Sequence, residues 1–284
     1  MTQSRVHSPR RVVAVRYGEW ATTRSEVFHD GVEAGAPAAP FVLAYYFWIV
    51  ETPDRTVVVD TGFDPAVADR RGRTALVAFA DALDALGIGA DDNVDLVLTH
   101  AHYDHIGSTE HLRRARVWIG APERSFWRSS AAAEFAALVE PAELDALDRI
   151  DADGRLVPVT GRVEIAPGIE LLPASGHTPG QLMVRAGTDH GTVLLTSDAV
   201  HFDEELAHDR PFRHMCDLAG ARDVYREIRA MAAGGDVDHV VAGHEDEVSR
   251  RYGPLVDVLD GLAVVVGTPP EARNRIHPRE EAAL

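Results

Sequence analysis

Three histidines and an aspartate fall within six residues of this chain, at His100, His102, Asp104 and His105. They follow directly on the apolar run VDLVLT at 94–99. Imidazole nitrogen and carboxylate oxygen suit zinc and similar divalent cations. In an open loop at a strand end, alternate side chains turn to different sides. His100 and His102 can therefore converge on one point while Asp104 and His105 address a second. The alternative is a polar surface loop that happens to be rich in histidine, and the rest of the chain weighs against it.

Three more residues of ligand type occupy the same kind of position. His177 stands in GHTPG (176–180) after the run IELLP (169–173), Asp198 ends TVLLTSD (192–198), and His244 follows DHVVAG (238–243). Each time an apolar β run leads to a turn or small residue and then to one ligand-type side chain. Sites built at a sheet edge read this way, because strands give rigidity and loops carry the chemistry. His239 is the competing candidate to His244, but it begins its strand, whereas the ligand is expected at the end.

These residues need elements to position them. Runs rich in Val, Ile and aromatic residues predict strands at 11–17, 41–50, 56–60, 94–99, 116–120, 169–173, 181–186, 192–198 and 238–243. Helical spacing predicts helices over 74–87, over 131–150 with a break at Pro141, over 220–235 and, more weakly, over 254–262. Strand-rich and helix-rich stretches interleave without a linker or repeat. The expectation is one α/β domain over 1–284, with 1–10 and 269–284 loosely ordered.

Composition narrows the function. The 284 residues hold 28 Lys and Arg against 45 Asp and Glu, a formal net charge of −17. Such a surface repels phosphate backbones and anionic lipid heads, so neither nucleic acid nor membrane is expected as partner. A small neutral or apolar acyl substrate fits better. The single cysteine, Cys216, can form neither an internal disulfide nor a thiolate metal cluster. The longest apolar runs are far shorter than the ~20 residues that span a bilayer, and the N-terminus shows no stretch of signal-peptide length. A soluble, cytoplasmic protein is expected.

The order H-x-H-x-D-H (100–105), GHTPG (176–180), a strand-ending Asp198 and a late Gly243–His244 resembles the metallo-β-lactamase superfamily. The upstream Asp60, Thr61 and Gly62 look like that family's D-T-G turn. The resemblance implies an αβ/βα sandwich with the metals at one sheet edge. It implies a first metal on His100, His102 and His177, and a second on Asp104, His105 and His244. It makes Asp198 the bridging carboxylate and gives Asp60 a place beside the ligand loop. Two divalent ions are implied, zinc foremost, with iron, manganese or cobalt as alternatives.

Within the superfamily the chain is similar to the N-acyl homoserine lactonase group. The resemblance implies a hydrolase that opens a lactone or carboxylic ester, N-acyl homoserine lactone foremost, and so a quorum-quenching activity. The alternative is a thioesterase or phosphodiesterase on the same scaffold. Asp104 and Asp198 could shuttle the proton to the leaving oxygen. In that group a tyrosine three residues after the bridging aspartate touches the substrate carbonyl. This chain has His201 there, which is expected to donate in its place. Tyr45, Tyr46, Phe47, Trp48 and Phe63 are candidates for an acyl pocket, although alternation sends half of them to the core. A homodimer is compatible with all of this.

Overall fold

The run 41–50 has no polar face because both faces of its strand are buried. In the computed structural model, which describes residues 10–29 and 38–276, it lies in the strand Pro40–Glu51. Tyr45, Phe47 and Ile49 enter one core cluster, while Ala44, Tyr46, Trp48 and Val50 enter another. The strand Arg11–Thr23 pairs antiparallel along its whole length, from Arg11 opposite Glu51 to Thr23 opposite Pro40. Gly18 sits at the irregularity in this pairing. A Cβ there would lie 2.5 Å from the Phe63 ring, so the close approach requires glycine.

On the other side of Pro40–Glu51 the sheet turns parallel. Thr56–Val59, Asp95–Leu98, Arg116–Gly120 and Leu156–Val159 follow in order, the last three each parallel to the strand before it. A second, five-stranded sheet runs His239–Ala242, Gly191–Ser197, Leu182–Thr188, Ile169–Pro173 and Val163–Ala166. The two sheets face each other across a shared core in which Val12, Trp48, Val59 and Val97 meet Leu171, Val184, Leu195 and Val241. Helices cover the outer faces. Phe79–Ala85 and Pro141–Ala152 bring Leu83, Leu147 and Ile150 onto the first sheet. Leu218–Gly234 sets Val224, Tyr225 and Ile228 against Leu172, Met183 and Leu194 of the second. Asp217 caps that helix by accepting from the Ala219 and Gly220 amides, and Gly235 ends it at φ 76°. This is the αβ/βα layering expected. Among the described residues no helix is long and apolar enough to cross a membrane.

Some elements differ from the sequence reading. The predicted helix 74–87 is shorter, because Thr74 and Ala75 extend to pair with Glu19 and Gly18 and the helix runs only Phe79–Ala85. Over 131–150, Ser130–Leu138 forms a 3-10 segment and the α-helix starts at Pro141. The helix predicted over 254–262 does not form. Gly253–Pro254 pairs with Ala263–Val265, and Asp257, Leu259 and Asp260 take positive φ, which no α-helix accommodates. Of the ends expected to be loose, 1–9 and 277–284 lie outside the described residues, while Asn274 Nδ2 donates to Gly253 O at 3.0 Å.

A buried carboxyl outside the ligand loops makes stability depend on pH. Glu143, in the first turn of Pro141–Ala152, has both oxygens buried without a hydrogen-bond partner. Burial first, and then the charge of Glu140, push its carboxyl from 4.5 up to about 8. Between those values the unfolded chain has lost the proton while the folded chain holds it, so stability falls as pH rises through this window. Glu143→Gln is therefore expected to raise Tm by several degrees at pH 8.5, at roughly 2–4 °C per kcal/mol for a chain of this size. At pH 4.5 it should change little. Thermal melts of both proteins at the two pH values check this; an equal shift at both would show that Glu143 is not held protonated.

Candidate metal centre

The ends of several strands deliver the ligand residues to one place. Asp95–Leu98 leads to His100 and His102, and the single turn Tyr103–Ile106 carries Asp104 and His105. Ile169–Pro173 leads to His177, Gly191–Ser197 to Asp198, and His239–Ala242 to His244. All seven side chains are buried. The ligand atoms of His100, His102, His177 and Asp198 lie within 4.8 Å of one another, and so do those of Asp104, His105 and His244.

Asp198 stands between the two sets. Its Oδ2 lies 3.3 Å from His177 Nε2 and 3.8 Å from His100 Nε2. Its Oδ1 lies 3.1 Å from both His105 Nε2 and His244 Nε2. Its Oδ2 also lies 3.2 Å from His244 Nε2, so the carboxylate reaches both sets, as a bridging one must. Asp104 Oδ2 stands 3.8 Å from His105 Nε2 and 4.0 Å from His244 Nε2.

The far nitrogens are held by the protein. His105 Nδ1 donates to Asp60 Oδ2 and His244 Nδ1 to the Ala44 carbonyl, each at 2.8 Å. This leaves Nε2 of both rings turned toward the centre. His102 Nδ1 and His177 Nε2 approach to 2.9 Å. His100 Nε2 and His105 Nε2 are buried with no hydrogen-bond partner. Buried nitrogens left without partners around a carboxylate are costly unless a cation meets them. The donor set thus fits divalent metal.

Burial also sets the protonation of the first group. It drives His100 and His177 well below the usual imidazole range, and His102 to about 3. These rings are neutral, the form that ligates. For His105, burial is outweighed by Asp198, Asp60 and Asp104, which raise it.

Two carboxylates brace the loops. Asp60 was legible as a residue beside the ligand loop. Its Oδ1 accepts from Thr99 N, and its Oδ2 from both Thr99 Oγ1 and His105 Nδ1, all at 2.8 Å. It does so at φ 64°, a left-handed conformation that Asp tolerates better than most residues. Glu123 was not found by the sequence reading. Fully buried, it accepts from Ala101 N and Gly180 N at 3.0 Å each and from Trp127 Nε1 at 2.6 Å. It thereby ties the loop of His100 and His102 to the loop of His177. A Cβ on Gly180 would lie 2.1 Å from Glu123 N, so only glycine allows the approach. Glu123 belongs to no spaced motif. Its only signal was a Glu beside a Gly and a Pro at a helix start.

His201 is packed among protein side chains, its ligand atom within 4.8 Å of those of Asp198 and His244. It is fully buried and does not line the cavity described below. Its Nε2 lies 3.1 Å from Asp198 Oδ2 and its Nδ1 3.2 Å from Glu205 Oε1. Its ring stacks on Phe212 at 3.8 Å. Burial opposes its charge, but the two carboxylates carry the imidazolium up to about 9. The geometry makes it a prop for Asp198. His239 Nε2 donates to the His190 carbonyl at 3.0 Å, and His239 is in neither ligand set. Cys216 is in neither set as well.

A cavity of about 310 Å³ opens onto the centre, lined by His102, Asp104, His177, Asp198 and His244. Trp20, Leu43, Leu138 and Phe212 give it apolar walls. Of the five aromatic residues proposed for a pocket, Tyr45 lines it, while Tyr46, Phe47, Trp48 and Phe63 are core.

Comparison with known proteins agrees with this geometry. Residues 41–244 match the model of the metallo-beta-lactamase superfamily. An N-acyl homoserine lactonase from Agrobacterium fabrum is 26% identical over 245 residues, covering 76% of this chain and 83% of that protein. The crystal structure of a quorum-quenching N-acyl homoserine lactone lactonase superimposes with a TM-score of 0.71 at 20% identity, over 84% of this chain and 94% of that one. A dizinc quorum-quenching lactonase in complex with a homoserine product gives a TM-score of 0.69 at 20% identity, over 84% and 89%.

Proposed function

The chain belongs to the metallo-β-lactamase superfamily, and from that premise we propose that it is a dinuclear metal-dependent hydrolase of lactones or carboxylic esters, with N-acyl homoserine lactone as leading substrate. The observation that carries the reading is Asp198, one carboxylate within 3.3 Å of ligands from both sets. His100, His102 and His177 would hold the first cation, and Asp104, His105 and His244 the second. Zinc suits this imidazole and carboxylate donor set, and a similar structure is described as dizinc. Bound there, two such cations supply Lewis acidity and lower the pKa of water from ~16 to ~7.

The chain's own residues do the rest. Asp104 and Asp198 line the cavity, where a carboxylate can take the proton of the attacking water and return it to the leaving oxygen. Tyr45 lines the same cavity, with its ring edge-on to His244 at 5.2 Å. The apolar walls from Trp20, Leu43, Leu138 and Phe212 suit an acyl chain and shed water around it. The lactonase names of the relatives, with 26% identity over most of the chain, support the substrate class.

A panel of lactones, aryl esters, thioesters and bis-p-nitrophenyl phosphate, assayed with zinc, manganese and cobalt, tests the reading. The highest kcat/KM is expected on lactones or carboxylic esters. A tenfold or greater preference for the thioester or the phosphodiester would replace this reading with the alternative.

A further inference from the structure

Three arginines line the cavity, and two of them are neutralised. Arg71 donates to Glu140 through Nε at 2.9 Å and Nη2 at 2.7 Å, and Arg213 pairs with Glu26 at 3.1 Å. Arg73 makes no ion pair among the described residues. Of the three arginines, Arg73 is thus the one at the cavity wall that is not matched by a carboxylate among the described residues.

Arg73 is nevertheless fixed in place. Its Nε donates to Tyr103 Oη at 3.2 Å and its Nη1 to the Arg71 carbonyl at 2.8 Å. Its guanidinium carbon lies 3.7 Å from the Trp20 ring centroid. All of these partners are uncharged. Burial works against the cation, and Tyr45 and Tyr103 offset it. A guanidinium is thus held in place at the cavity wall with no ionic partner among the described residues.

We propose that Arg73 is an anion-recognition residue, so that among the lactones and esters the site takes, those with a carboxylate on the part along the wall of Trp20 and Tyr103 bind more tightly than their neutral counterparts. The proposal rests on the hydrolase reading above and names the substrate class for the same site. One unneutralised guanidinium matches one carboxylate in charge. A more highly charged group would meet Glu26 and Asp104, which line the same cavity. The subsite is separate from the metal ligands. Arg73 contacts Tyr103, the Tyr103 and Tyr45 hydroxyls are 3.2 Å apart, and the Tyr45 ring is edge-on to His244. The net charge of −17 describes the whole surface, whereas Arg73 sets the sign at one wall. Neutral acyl homoserine lactones would turn over without this contact.

Binding tests the subsite separately from turnover. Glutarate, adipate and suberate, each beside its monomethyl ester, are titrated calorimetrically into the metal-loaded enzyme. One carboxylate meets the metals in every probe, and only the second differs. At the best chain length the dicarboxylate is expected to bind about ten- to a hundredfold tighter than its monoester, as a charge-assisted hydrogen bond typically gives. Arg73→Gln should remove that advantage, and Arg73→Lys should keep part of it. Equal binding of each pair by the wild type, or an advantage that survives in Arg73→Gln, overturns the proposal. Lactone turnover measured on the same wild-type preparation separates the two claims. An Arg73-dependent advantage without turnover on any lactone or ester would sink the hydrolase reading and leave the carboxylate subsite standing.

Discussion

Asp198→Asn is expected to cost both metals and nearly all activity while leaving the sheets folded. The change keeps the shape of the side chain and removes its charge. That charge faces five imidazoles, with His105, His201 and His244 at 3.1 Å, His177 at 3.3 Å and His100 at 3.8 Å. Removing one partner of a buried ionic arrangement costs about 3–5 kcal/mol, which is ~10²–10⁴ in affinity at 1.4 kcal/mol per tenfold. Turnover should fall at least as far, because Asp198 also lines the cavity, where it is proposed to carry the proton. Metal analysis, circular dichroism and steady-state kinetics on one preparation give the answer. Near-wild-type turnover with both metals retained would contradict the bridging role.

Asp60→Ala is expected to be the most destabilising single change near the site. It strips the acceptor from Thr99 N, Thr99 Oγ1 and His105 Nδ1, all buried and all bonded at 2.8 Å. An unsatisfied buried donor costs about 1–3 kcal/mol, and the alanine must also sit at φ 64°, where a Cβ is disfavoured. A combined loss of about 3–6 kcal/mol corresponds to roughly 10 °C or more in Tm. Freed from Asp60, the His105 ring should bind its metal about 10–100-fold more weakly. Asp60→Asn, which accepts the left-handed backbone and keeps one acceptor oxygen, should recover part of the stability. A fall in Tm below 2 °C for Asp60→Ala would mean that the Asp60 bonds contribute little.

Much of the site was legible because ligation needs particular side chains at particular places. A strand end fixes where a side chain goes, so His100, His102, Asp104 and His105 could be named from a local pattern, while His177, Asp198 and His244 were joined to them by the order of the motifs and the family resemblance. The D-T-G turn at 60–62 was visible for the same reason: Thr61 N bonds to His105 O at 2.8 Å and Gly62 takes φ 66°. The residues that were missed act through tertiary contact. Glu123 joins loops 22 and 57 positions away from it, and no local spacing records that. Arg73 draws its meaning from lacking a carboxylate, which a sequence does not display. His201 was placed by its distance from Asp198 along the chain, but an imidazole at that position can turn to Glu205 as readily as to a substrate. In the fold, the strands buried on both faces were the clearest. The stretch 254–262 misled because its apolar spacing is helical while Asp257, Leu259 and Asp260 lie at positive φ.

The central claim is that seven side chains hold two cations per chain. Protein isolated without chelator from zinc-supplemented culture is analysed for metal against protein concentration, with activity measured on the same sample. Close to two equivalents are expected in the wild type, and one in His244→Ala, where only the set of His100, His102 and His177 stays filled. A reproducible single equivalent in fully active wild-type protein would contradict the claim.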